Sequence, residues 1–212
     1  MIVTVFGATG RVGKYIVRMA LAKGYNVKAF GRNIESLIDA DLNNDKLETI
    51  KGFVFDKTDV LKAVSGSDVI FSALGGGIDG SDKTRSLGIK NITEQMFKAG
   101  VKRILAVGGM GSLKDDEYEY RFNRPDYPAV FRAVSAEHFQ AYQYLKASDL
   151  DWTFVCPPDI KDGEATEKYI ISEEYKPVPY VNRIYAGDIA DFMLKEAELN
   201  QYINKRVGIC SL

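Results

Sequence analysis

The sequence predicts an α/β fold, a doubly wound parallel sheet wrapped by helices on both faces, as a single unit over residues 1–212. Three observations predict it. Short apolar runs alternate with segments of helical period along most of the chain. Glycine clusters follow the first, fourth and fifth of those runs, which in a parallel sheet places them along one edge. The apolar share of 46% against 27% charged is that of a chain with a full core.

The elements follow in order. Ile2–Phe6 (IVTVF) is β-rich and uncharged, as expected of a central strand covered on both faces. Residues 11–23 carry a helical stripe at Val12, Ile16, Val17, Ala20 and Leu21, closed by Gly24. A second strand is predicted at 26–30, a short helix at 34–39, a third strand at 50–55 and a helix at 58–64 ending at Gly66. Residues 68–74 form a fourth strand that runs into Gly75, Gly76 and Gly77, and a long helix over 83–99 ends at Gly100. Arg103–Val107 is a fifth strand, followed by Gly108 and Gly109. Residues 112–127 are polar and aromatic without a period and read as a long loop. A helix at 129–147, a strand at 152–156 stopped by Pro157 and Pro158, a strand or hairpin at 169–172, a helix at 187–198 and a strand at 206–210 complete the chain. The small substrate-side region is expected mainly at 112–127 and 157–185.

Gly7, Gly10 and Gly13 stand between the first strand and the first helix with the spacing G-x-x-G-x-x-G. The first glycine permits a tight turn out of the strand. The second lets backbone approach a diphosphate, and the third lets the helix pack on the sheet, with its N-terminal N–H groups facing the phosphates. This context predicts a dinucleotide site in a Rossmann fold, with Gly108 on the same edge. An NAD site usually carries an acid at the end of the second strand. Here that strand ends Ala29-Phe30-Gly31-Arg32. Arg32 can pair with a 2′-phosphate and stack on adenine, and Arg11 points to the same region, so NADP(H) is expected over NAD(H).

Bulk properties exclude other classes. A net charge of −1 gives no general attraction to nucleic acid or membrane. No apolar run spans a bilayer, the N-terminus lacks a basic signal region, and a cytoplasmic location is the expectation. Cys156 and Cys210 each lie inside apolar runs and read as buried thiols. One histidine and two distant cysteines make no zinc set, so no metal is expected.

VFGATGRVGKYIV, AFGRN, VIFSALGG, KRILAVGGMGSL, YLKASDLDWTFVCPP and IYAGDIADFML occur in an order that resembles the atypical short-chain dehydrogenase/reductases. Within them the chain is similar to the NAD(P)H-binding group that contains biliverdin reductase B, a flavin reductase. The resemblance implies that Gly7, Thr9, Gly10, Arg11, Val12 and Gly13 wrap the diphosphate. It implies Arg32 at the 2′-phosphate, Asp56 and Lys57 beside the adenine, Ala73, Leu74 and Gly75 on the ribose side, and Pro157 with Pro158 near the nicotinamide.

The chain departs from the parent superfamily at its Ser, Tyr and Lys. Gly108 and Gly109 stand where the serine is expected, and Ser112 could substitute only if its loop curls back. Val134 and His138 occupy the Tyr and Lys slots; the Y-x-x-x-K at Tyr142 to Lys146 is one turn out of register. His138, the only histidine, and Tyr142 four residues on are the candidate proton donors or ribose partners. Tyr118, Tyr120, Phe122 and Tyr127, with Arg121 and Arg124 between them, either stack on a planar acceptor or plug the loop against the body. Asp115, Asp116, Glu117 and Glu119 read as a solvated face.

Three functions remain open. The first is a reductase of a planar small-molecule acceptor such as a flavin or quinone. The second is a non-catalytic NADP(H) sensor with a protein partner. The third is an NAD(P)-dependent epimerase or dehydratase, which needs a true proton donor such as Tyr142 or Ser112.

Overall fold

The uncharged run Ile2–Phe6 forms β1, near the middle of the sheet, with Val3 and Val5 fully buried on one face and Phe6 on the other. The computed structural model describes residues 1–34, 44–115 and 118–212. Along the chain come α1 (Gly13–Ala22), β2 (Asn26–Gly31), β3 (Leu47–Lys51), α2 (Lys57–Val64), β4 (Val69–Ser72), α3 (Thr84–Ala99) and β5 (Arg103–Val107). After them come α4 (Ala129–Lys146), β6 (Asp151–Cys156), β7 (Ile160–Lys161), β8 (Tyr169–Glu173), β9 (Ile184–Tyr185), α5 (Ala186–Leu199) and β10 (Lys205–Ser211).

The main sheet runs β3-β2-β1-β4-β5-β6-β10-β8, parallel throughout except for the antiparallel pair β10–β8; β7 and β9 form a small parallel ladder of their own. From β1 the chain moves outward to β3, then crosses back to β4 on the other side of β1. The order therefore reverses between β1 and β4, the point where an open α/β sheet offers a crevice at its strand ends. One core lies under α1 and α5, with Ile16, Val17, Ile189 and Met193 on Val3, Val5 and Phe71. The other lies under α2, α3 and α4, with Val60, Ile92, Met96 and Leu145 on Phe6, Ile70, Ile104 and Phe154. Two covered faces explain why these strands read as continuous apolar runs rather than alternating ones.

The third strand is the main revision to the predicted elements: it occupies Leu47–Lys51 rather than 50–55. Its register with β2 ends at the pair Gly31–Lys51, and beyond it a Cβ on Gly52 would sit 2.5 Å from the Phe30 ring. The chain bends there, so Phe53 and Phe55 project outward as an edge-to-face pair at 5.0 Å. The helix expected at 34–39 lies almost wholly outside the described residues. The described residues of 112–127 form a loop, as expected, interrupted by a 3₁₀ turn at Arg121–Asn123 and preceded by one at Met110–Ser112. The two-residue strands β7 and β9 are too short to leave a period. Among the described residues the one cis peptide bond lies at Val178–Pro179, and the bonds to Pro157 and Pro158 are trans.

Candidate cofactor and active site

The glycine loop is closed by contacts that exclude side chains. Gly7 has φ +73°, and a Cβ there would lie 2.5 Å from the Ala73 carbonyl oxygen, so the ends of β1 and β4 meet backbone to backbone. A Cβ on Gly13 would lie 2.1 Å from the Gly7 carbonyl oxygen, and one on Gly10 3.1 Å from the same atom. Helix α1 is thereby drawn onto the sheet edge, starting after the buried Val12, and its first turn holds no acidic side chain. An N-terminus of this kind suits an anion. Thr9 is exposed on the loop. Arg11 reaches across to donate to the Ile160 carbonyl at 2.5 Å, tying the loop to β7.

On the β2 side, Arg32 is exposed immediately beyond Gly31. Asp56 accepts from the N–H groups of Thr58 (2.8 Å) and Asp59 (2.9 Å), which makes it the N-cap of α2. Lys57 is exposed, 3.8 Å from Glu94.

On the other side of the switch point, Leu74 is half-buried and Gly75 opens an exposed loop. Arg85 holds that loop, donating to the carbonyls of Gly76 (2.9 Å) and Gly77 (2.8 Å). Asp82 accepts from the N–H groups of Gly77 and Thr84, and hydrogen bonding from Thr84, its side chain first and then its N–H, pulls the carboxyl below the usual range. Gly80 meets Ala133 on α4, where a Cβ would lie 2.9 Å from the alanine methyl. Past β5, Gly108 faces the Phe154 ring, Gly109 faces His138, and Gly111 faces Ser135 and Tyr127, all closer than a Cβ tolerates. These glycines let α4 pack directly on the strand-end loop.

His138 therefore lies on the rim, its Cδ2 2.9 Å from where a Cβ of Gly109 would stand. Its Nδ1 is sealed from solvent and has no hydrogen-bond partner. Burial, with Arg85 adding a smaller effect, pushes its pKa down to about 3, so the imidazole is neutral at physiological pH. Beside it, buried Glu137 accepts from Lys83 Nζ at 2.7 Å and Ser86 Oγ at 2.6 Å, fixing α4 to the start of α3.

The other two candidate donors are not brought to the rim. The loop does curl back at Ser112, but the hydroxyl turns inward, donating to the Gly109 carbonyl at 2.7 Å in a fully buried position. Tyr142 is buried among Phe139, Trp152 and Phe154, with the Arg206 guanidinium 4.4 Å from its ring centre. Burial raises its pKa. Pro157 is buried and its carbonyl accepts from the Met110 N–H at 3.0 Å, while Pro158 is half-buried.

Tyr120, Phe122 and Tyr127 plug the loop to the body, while Tyr118 lies under Arg124 of the loop itself. Tyr120 and Phe122 pack on Phe139 at 4.4 and 5.5 Å, and the Tyr127 hydroxyl bonds Ser135 at 2.8 Å. Arg121 and Arg124 both pair with Asp115, whose side chain is only 8% exposed, so Asp115 does not belong to a solvated face. Glu119 is exposed, and residues 116 and 117 lie outside the described residues. Arg85 and Glu137 hold elements of this rim together and were not singled out by the sequence; the one available signal was a Lys-x-x-Ser pair opening a helix opposite a lone acid beside His138. Cys156 and Cys210 are free, buried thiols, and burial pushes Cys156 up to about 12. Among the described residues no cluster of metal ligands forms, and no helix is long and apolar enough to cross a membrane.

A protein-family profile described as NAD(P)H-binding matches residues 7–199, from the first glycine of the loop to the end of α5. The chain belongs to this NAD(P)H-binding family. The glycine cradle and the acid-free helix start fit such a nucleotide. An uncharacterised protein of Bacillus subtilis, YwnB, is 24% identical over 100% of this chain and 99% of its own. A solved structure of a candidate NADH-flavin reductase from Streptococcus pneumoniae superposes with a TM-score of 0.82 at 28% identity, covering 100% of both chains. An anaerobilin reductase from Escherichia coli shares the fold, with a TM-score of 0.79 at 22% identity over 100% of this chain and 97% of that one. The chain is an NAD(P)H-binding protein with a Rossmann fold.

Proposed function

We propose that the protein is an NADPH-dependent reductase that delivers hydride to a planar acceptor, a flavin or a quinone, which takes its proton from water. The observation that supports this reading most is the state of the three candidate donors. Ser112 is fully buried with its hydroxyl committed to Gly109, Tyr142 is buried away from the rim, and His138 is neutral. A carbonyl or sugar substrate needs a positioned acid; a flavin or quinone does not. Three apolar side chains, Ile78, Val130 and Phe131, are exposed on the two elements that meet at Gly80 and Ala133. They offer a flat ring a surface at that edge.

In this reading Gly7, Thr9, Gly10, Val12 and Gly13 hold the diphosphate, while Arg32 pairs with the 2′-phosphate. Asp56 and Lys57 border the adenine side. Ala73, Leu74 and Gly75 border the ribose, and Gly108, Pro157 and Pro158 leave room for the nicotinamide. When bound, the reduced nicotinamide supplies the hydride. His138 orients rather than protonates, since a neutral imidazole is a weak acid. Arg11 and Arg85 keep the two glycine loops in place.

Steady-state NADPH oxidation with FMN, menadione and an aliphatic aldehyde tests the proposal. The expected result is turnover with FMN or menadione and none with the aldehyde. Turnover of the aldehyde alone would restore a proton-donor mechanism, and turnover of none would favour the cofactor-binding sensor.

A further inference from the structure

Among the described residues Arg206 is the largest fully buried side chain, 1% exposed, and it lies outside the glycine rim. Its Nε and Nη2 donate to Glu174 Oε2 at 3.0 and 2.6 Å, and its backbone N–H donates to Glu174 Oε1 at 2.8 Å. Its guanidinium stands over the rings of Tyr142 (4.4 Å) and Tyr120 (5.3 Å). The remaining arm, Nη1, donates to the Ser112 carbonyl at 2.5 Å. Ser112 in turn donates through both N–H (3.0 Å) and Oγ (2.7 Å) to the Gly109 carbonyl, and Gly109 is the residue against which His138 packs.

A buried ion pair is weak evidence for stability, because desolvation offsets its attraction. Glu174 also holds a left-handed backbone, φ +66°, which side chains rarely adopt. Such strain persists only where surrounding contacts over-determine it, and it concentrates at functional places. Here the contacts are bonds in both directions: Glu174 N–H to the Arg206 carbonyl and Lys114 N–H to the Glu174 carbonyl, each 2.8 Å. The pair thus clamps the C-terminal end of the Met110–Ser112 turn, through the Ser112 carbonyl and through the Lys114 N–H just beyond it.

We infer that Arg206 and Glu174 are positioning residues for the nicotinamide half of the cofactor site, acting through the Ser112 carbonyl on the turn that sets Gly109 against His138. The inference rests on the cofactor reading above. The two halves of a dinucleotide lie on opposite sides of the switch point. The turn follows β5, so the adenine half, over β1 to β3, is untouched by it.

The test uses two conservative variants. Glu174→Gln keeps the volume and removes the charge; Arg206→Lys keeps the charge and loses the fork that reaches both partners. Calorimetry measures binding of NADPH and of 2′,5′-ADP, which carries only the adenosine half. Both variants are expected to raise the NADPH Kd at least tenfold and to leave 2′,5′-ADP within twofold of wild type. Equal losses for both ligands, or no loss for either, would overturn the inference. Wild-type protein that binds neither ligand would overturn the cofactor reading before any variant is compared, and this inference with it. A second readout needs no ligand: hydrogen exchange at the Ser112 and Leu113 amides, bonded within the turn, is expected to quicken at least tenfold in the variants while β1 and β4 stay unchanged. Uniform quickening across the sheet would mean a merely structural pair.

Discussion

Arg32, His138 and Tyr142 carry the three residue-level claims, and each has its own test. In the proposed site Arg32→Ala removes a charge-assisted contact to the 2′-phosphate, so NADPH affinity should fall by about 1–3 kcal/mol while NADH affinity holds. Isothermal titration with both cofactors measures this, and equal losses would remove the 2′-phosphate assignment. For His138 the folded pKa of about 3 lies below the ordinary value of 6.5. The unfolded chain therefore binds more protons in that interval, and the histidine's contribution to stability is lost as pH falls from about 6.5 towards 3. Urea unfolding from pH 7 to pH 4 should show a shallower loss in His138→Gln than in wild type. Identical slopes would mean that the imidazole titrates normally. Tyr142→Phe should leave the hydride-transfer rate within twofold, because the ring packs in the interior; loss of most turnover would return Tyr142 to catalysis.

At the scale of elements, the loop from β1 to α1 depends on backbone contacts that cannot give. Gly13→Ala would force a methyl to within 2.1 Å of the Gly7 carbonyl oxygen. Overpacking of this kind costs about 1–3 kcal/mol, and here it also lifts α1 off the phosphate position. Thermal melting and NADPH titration should both report the loss. Unchanged values would mean that α1 does not seat against Gly7 as described. This loop was legible in the sequence because its glycines sit at a fixed spacing in a fixed context. The end of β5 was legible only in part. Gly108 and Gly109 marked the edge, but the inward turn of Ser112 depends on Arg206, 94 residues away in sequence. The interior position of Tyr142 likewise depends on Trp152 and Phe154 across the helix–sheet interface. Asp115 read as surface because its arginine partners return to it only through the fold of the loop. The third strand was misplaced for a local reason: F-V-F looks like a strand, yet the register of β2 had already ended.

At the scale of the molecule, the strand order joins these pieces. Reversal between β1 and β4 puts the glycine loop, the Gly75–Gly80 loop and the Gly108–Gly111 turn on one edge, although they are distant in sequence. The order of strands is not encoded in any single segment; it follows from right-handed crossovers and from covering both faces. The edge then holds a cradle for a nucleotide and, among the described candidates, no side chain placed as an acid. That combination is what makes a planar, solvent-protonated acceptor the favoured partner. The most direct measurement is anaerobic single-turnover absorbance at 340 nm, with NADPH-loaded protein mixed with excess FMN and, in parallel, menadione. A saturable decay well above the protein-free rate is the predicted result. Bound NADPH that persists unchanged with both acceptors would contradict hydride transfer to a planar ring.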